Sequence, residues 1–384
     1  MTTHCRRLLV SAVAALAAAG AAAAGAPVPE AAPAAAGAAV PATSPPTAGK
    51  TGKLLVGGWL PTTWDYENSF SSFSANAGLM AQVSPVWFWA TDGGGIAARR
   101  PGGTAGADPG PCEEEVRAVC RSRGIKLIPL ISNSGPGRGF DAAMVGRIVN
   151  SRERTAAHVK ALTKLAVDRG YDGIEIDYEL LKPGDRDAFS RFMAALGASL
   201  HARGKLLAIA VHAKMAEPGD DWGPRTHDYR ALGRVVDIFR VMTYDLHWMS
   251  GPPGPLAPLP WFKEVLAFTV SQVPRQKVQM GIPTYGYDWP RGGKGATRDV
   301  TAREVPLFAA SLGLVTEWDG ASSSPFVRYS GSDGEREVWY EDARCLEAKL
   351  AVVREAGIMG IAIWRLGSEQ REFWEVLGRP EPGK

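Results

Sequence analysis

The sequence is short of the residues that mark metal, disulfide and nucleic-acid proteins. It holds six histidines and four cysteines in 384 residues. No histidines stand in H-x-H or H-E-x-x-H spacing, so no local zinc motif is present and no metal is expected. Cys112 and Cys120 fall in a segment that reads as helix, which would hold them about 12 Å apart, too far to bridge. The thiols Cys112, Cys120 and Cys345 are expected buried or free, with one long-range bridge left open. Net charge is only +3, which suggests no nucleic-acid partner. Past the first 24 residues there is no apolar run of membrane-spanning length. The glycine cluster Asp92-Gly93-Gly94-Gly95 lacks a following helix at phosphate-loop spacing and reads as a turn.

What is present begins with a leader-like segment. Arg6 and Arg7 precede an uncharged, alanine-rich run from Leu8 to Ala24, and Ala22, Ala24 and Ala26 supply small-residue cleavage sites. Residues 1–26 therefore read as a secretory signal peptide; as a membrane anchor the run is short and poor in large apolar residues. Its removal takes Arg6 and Arg7 away and lowers the net charge to +1. Residues 27–52 are nearly all Ala, Pro, Gly, Thr and Ser, unable to build a core, and read as a disordered linker. A secreted or envelope-bound protein, monomeric and without cofactor, is expected.

From residue 53 to 384 one domain is expected. Apolar strand-like runs cover 54–58, 83–90, 125–131, 173–179, 206–212, 238–244, 278–283 and 358–364. Amphipathic stretches separate them, as in 185–203, where Phe189, Phe192, Leu196 and Leu200 share one helical face. Eight alternating β/α units predict an α/β fold, a (β/α)₈ TIM barrel. The gap before the last strand exceeds one helix. Short runs at 313–318, 325–330 and 336–340 predict a small α+β insertion over about 290–340, between the seventh and eighth strands. Residues 340–356 read as the last helix.

In such a barrel the chemistry sits at the carboxyl ends of the strands. The run Asp172-Gly173-Ile174-Glu175-Ile176-Asp177-Tyr178-Glu179 alternates in facing. Ile174, Ile176 and Tyr178 should meet the helices, while Glu175, Asp177 and Glu179 point inward. Three inward carboxylates repel one another and are poorly solvated, which raises at least one pKa. Such an arrangement is not built for stability and points to function. Glu179 is nearest the carboxyl end; kept protonated, it can deliver a proton to a glycosidic oxygen.

Asp172-Gly173-x-Glu175-x-Asp177-x-Glu179 resembles the DGxDxDxE signature of the family-18 glycoside hydrolases, the chitinase family. Three further segments look alike: Met242-Thr243-Tyr244-Asp245, Gly281-Ile282-Pro283-Thr284-Tyr285-Gly286-Tyr287, and Gly360-Ile361-Ala362-Ile363-Trp364. Their wording is similar to the bacterial spore-cortex-lytic and germination branch. The resemblance spans about 53–374 and implies hydrolysis of N-acetylated amino-sugar polysaccharides, peptidoglycan or chitin-like, with retention and help from the sugar's own acetamido group. It implies Glu179 as acid and then base, Asp177 as orienter of the acetamido group and Tyr244 as its hydrogen-bond partner. Asp245 and Tyr285 would contact the sugar, and Trp364 would stack on it. Asp172 and Glu175 would support the carboxylates. Glu175 is a departure, because the family places Asp, or Asn in the spore-cortex branch, there. Glu175→Asp is expected to raise activity or shift the acidic limb of the pH profile.

Twelve tryptophans suit a glycan groove, since aromatic rings stack on sugar faces; Trp289, just past the seventh strand, joins Trp364 as a candidate. His212 and His247 at strand ends read as structural. Two rival readings are a glycan-binding lectin on the same barrel and a metal-dependent barrel hydrolase using the carboxylates as ligands.

Overall fold

The computed structural model describes residues 54–380, apart from 101, 103, 104, 107, 136, 293 and 294. The expected leader and linker lie outside the described residues. Eight parallel strands form a ring. The first is Leu55–Leu60 and the second runs as Gln82–Pro85 and Phe88–Ala90. The third runs as Lys126–Leu127 and Leu130–Ser132, and the fourth is Gly173–Asp177. Leu206–His212, Ile238–Met242, Val278–Pro283 and Gly360–Trp364 complete it. Each strand pairs in parallel with the next, and Leu55 aligns with Gly360 to close the eighth on the first.

The alternation of the fourth strand sorts its side chains as the sequence predicts. Ile174, Ile176 and Tyr178 are buried in the main core with Phe189, Phe192, Leu196 and Leu200 of the helix Arg186–His201. Inside the ring two small apolar clusters sit at different heights. Ile128, Ala208, Ile238 and Met359 make one, and Trp59, Val86, Leu130, Ala210 and Ala362 the other. Strand alternation puts Arg240 between Ile238 and Met242, so a charged layer separates the apolar ones.

Two excursions extend the carboxyl face. Ile96–Arg99 folds back antiparallel on Phe88–Ala90, and Asp92–Gly95 makes the turn, with Gly93 and Gly94 at φ 82° and 86°, where a side chain is strained. The insertion is a five-stranded antiparallel sheet. Its order is Arg298–Thr301, Tyr285–Pro290, Gly334–Tyr340, Ser324–Gly331 and Glu317–Asp319, with the helix Glu304–Ser311. It starts at Tyr285, before the expected 290, because Tyr285–Pro290 follows the seventh strand with only Thr284 between. The helix expected over 340–356 is Ala343–Ala356, and it is not the last: Arg371–Gly378 follows the eighth strand. Cys112, Cys120 and Cys345 are buried and free.

Candidate active site

The backbone of Glu179 is clamped just past the fourth strand. Asn133, beyond the third strand, accepts from the Glu179 amide and donates to its carbonyl, both at 2.9 Å. This fixes where the carboxyl emerges at the barrel mouth. Burial, then the charges of Asp177 and Asp245, push the Glu179 carboxyl well above the usual carboxylate range. Both effects favour the protonated acid. His212 Nε2 lies 3.6 Å from Glu179 Oε2; burial lowers this imidazole to about 4, so it faces the acid uncharged.

Asp177 lies one step deeper. Burial and the Glu175 charge raise it to about 7, against the pull of Arg99. Arg99 comes from the hairpin after the second strand, packs over Trp89 at 5.5 Å and donates to Ser134. Neither Asn133 nor Arg99 was legible as a site residue. Each lies outside the recognised motifs.

Glu175 lies deepest and is sealed from solvent. Its Oε1 accepts from Trp59 Nε1 at 3.0 Å, and its Oε2 is ion-paired with Arg240. Burial pushes Glu175 up, and Arg240, Ser84 and Trp59 oppose that. A guanidinium does not lose its proton in a protein, and Glu175 is the carboxylate in contact with it, so the pair is ionised. The longer side chain at 175 is therefore matched by a cation. In Glu175→Asp the shorter acid would pull back from both Trp59 and Arg240.

Tyr244 and Asp245 follow the sixth strand. Burial, then Glu179 and Asp177, hold the Tyr244 phenol well above its usual value, so it remains a donor. Asp245 has a left-handed φ of 60°, an uncommon backbone state for a non-glycine residue. Its Oδ1 accepts from Tyr285 at 2.5 Å and from Tyr287 at 3.0 Å. The insertion's first strand thus aims Asp245. Tyr285 acts through this bond, and Tyr287, one alternation further on, is an addition to the expected set. Trp364 is half-buried, with Trp59 edge-on at 5.9 Å. Thr284 holds the chain after it: its amide donates to the Trp364 carbonyl at 2.9 Å and its hydroxyl bonds the Arg365 carbonyl and amide.

Two expected site residues are taken up by structural contacts. Asp172 accepts from the Leu127 amide at 2.9 Å and Lys126 Nζ at 2.8 Å. It ties the third and fourth strands at their amino end, away from the barrel mouth. Trp289 is 2% exposed, packed with Tyr287, Leu256, Phe326 and Trp339 in the insertion's core, and presents no face to a sugar. Among the described residues no three His, Cys, Asp or Glu side chains are grouped to hold a metal ion.

The family of glycosyl hydrolases family 18 matches residues 106–369, which include all four motifs. The chain belongs to this family. Similar relatives include a putative sporulation-specific glycosylase YdhD of Bacillus subtilis (strain 168), 34% identical over 247 residues, 64% of this chain and 58% of that protein. A cortical fragment-lytic enzyme of the same organism is 28% identical over 266 residues, 68% of this chain and 62% of that protein. The chain thus spans less than two thirds of either. Among solved structures, a chitinase from Chromobacterium violaceum ATCC 12472 superposes with a TM-score of 0.76 at 28% identity, covering 84% of this chain and 98% of its own. The Bacillus cereus spore cortex-lytic enzyme SleL gives 0.75 at 25% identity, covering 85% and 74%. Family-18 membership accounts for the barrel, the carboxylate strand and the tyrosine-aspartate pair.

Proposed function

We propose that this protein is a retaining glycosidase that hydrolyses β-linked N-acetylglucosamine polymers by substrate-assisted catalysis. The observation that carries the reading is the division of the carboxylates. Glu179 is at the mouth with a raised pKa, Asp177 is behind it on the same strand, Glu175 is bonded at both oxygens, and Asp245 is held by two tyrosines. One acid is free to move a proton, and its partner lies alongside rather than across the sugar.

In the first step Glu179 gives its proton to the glycosidic oxygen and the anomeric C–O bond breaks. The acetamido oxygen of the same sugar takes the vacated bond, forming an oxazolinium ring. Ionised Asp177 accepts from the acetamido N–H and stabilises the positive charge; the Tyr244 hydroxyl donates to the acetamido oxygen. In the second step Glu179, now a carboxylate, takes a proton from water, which opens the ring on the original face. Trp364 would carry the reacting sugar and Asp245 its hydroxyls.

The relatives named for spore cortex favour peptidoglycan, and the chitinase structures favour chitin oligomers. Either substrate lies outside the cytoplasm, in keeping with the expected leader. Mass spectrometry of products from both substrates tests the reading. We expect fragments ending in N-acetylglucosamine from at least one. Binding to both with no product from either would identify a sugar-binding barrel instead.

A further inference from the structure

The charged layer beneath Asp177 is unusually complete. Arg240 is fully buried. Its Nε donates to Gln279 Oε1 at 2.9 Å, Nη1 to Ser84 Oγ at 2.7 Å and to Glu175, and Nη2 to Gln82 Oε1 at 3.0 Å. Trp59 covers the guanidinium, with its ring centroid 5.3 Å from Cζ, while its indole N–H holds the other Glu175 oxygen. Gly57 leaves the space, since a Cβ there would lie 2.8 Å from Nη2. Asp177 Oδ1, by contrast, is buried with no hydrogen-bond partner among the described residues.

Stability does not explain this layer. A buried ion pair is often no better than apolar residues of the same volume, and apolar clusters flank the layer on both sides. The arrangement biases the site one way: with an indole N–H on one oxygen and a guanidinium on the other, the anion of Glu175 is favoured over its protonated form.

We propose that Arg240 is a positioning residue that locks Glu175 as a fixed anion, so that the catalytic protons are distributed between Asp177 and Glu179 alone. The charge arrangement stands on geometry; its effect on turnover rests on the glycosidase reading. Asp177 is faced by Glu175 and Glu179 from its own strand, by Arg99 from the hairpin after the second strand, and by Tyr244 from the sixth. Arg240 stands behind Glu175, and Asp245 and His212 stand beside Glu179. An anion at 175 favours the protonated form of Asp177. Removing the Glu175 charge and its counter-ion together lets Asp177 ionise at lower pH. Turnover needs Asp177 ionised, so the acidic limb of kcat/KM moves down with it.

Carbon-13 carboxyl NMR on the intact protein reads this without needing activity. In the unaltered protein Glu175 should keep an ionised chemical shift across the range in which Asp177 and Glu179 titrate. A Glu175 signal that titrates together with Asp177 overturns the proposal. In the Glu175→Gln/Arg240→Met double variant, Asp177 should titrate about one unit lower or more, and the acidic limb should follow. Arg240→Lys, which keeps the cation, should leave both near their original place. An unmoved Asp177 titration in the folded double variant also rejects the proposal, and loss of folding leaves the measurement on the unaltered protein to decide. A protein that cleaves no glycan would refute the glycosidase reading while the titrations still decide the role of Arg240.

Discussion

Glu179→Gln should lower turnover by at least about 10²-fold, the scale on which loss of a general acid acts, with the fold and glycan affinity retained. The amide matches the carboxyl in shape and removes the proton to be donated. The clamp from Asn133 grips the main chain of residue 179, so it survives the substitution. The carboxyl lies 3.6 Å from the uncharged ring of His212, beyond hydrogen-bond length, so little structural bonding is lost. The raised pKa also has a direction: activity should fall as pH rises through the Glu179 titration, because the anion cannot protonate the leaving oxygen. Initial rates on oligosaccharides with calorimetric binding of the same ligands check this. Near-normal turnover by Glu179→Gln would assign the proton donor elsewhere.

The second large effect belongs to the substrate. An oligosaccharide deacetylated at the reacting position should resist cleavage altogether, and a thiazoline mimic of the cyclic intermediate should inhibit. The carboxylates of the site leave no protein nucleophile: Glu175 is closed by Trp59 and Arg240, and Asp245 is aimed by Tyr285 and Tyr287. In the proposed mechanism the attacking oxygen comes from the sugar. Asp177, raised to about 7 by burial and Glu175, can turn its charge toward the acetamido N–H, and a free amine in that place offers no carbonyl oxygen to attack. Comparing rates on matched acetylated and deacetylated oligomers measures this, and rapid cleavage of the deacetylated one would call for a two-carboxylate scheme.

The barrel and the catalytic strand were legible because both rest on simple periodicities. Ile174, Ile176 and Tyr178 alternate with Glu175, Asp177 and Glu179, and each set faces where a two-residue period sends it. What escaped was whatever depends on partners distant in sequence. Arg240 stands in a strand that reads as apolar, yet its parity with Met242 and Tyr244 already pointed it inward, toward Glu175. Trp289 was credited for its place after a strand, but that place belongs to a second sheet, whose core buries it. Asp172 carries the motif's first letter and serves the strand's amino end. Asn133 and Arg99 arrive from a loop and a hairpin that no periodicity marks.

The most direct test of the account is proton NMR of the anomeric configuration of the first-formed product, recorded before mutarotation. Attack by the acetamido oxygen followed by water inverts the anomeric carbon twice, so the newly released reducing end should appear first as the β-anomer. First appearance of the α-anomer would mean a single displacement by water, and would contradict the assignment of Asp177 as orienter and Glu179 as sole proton carrier.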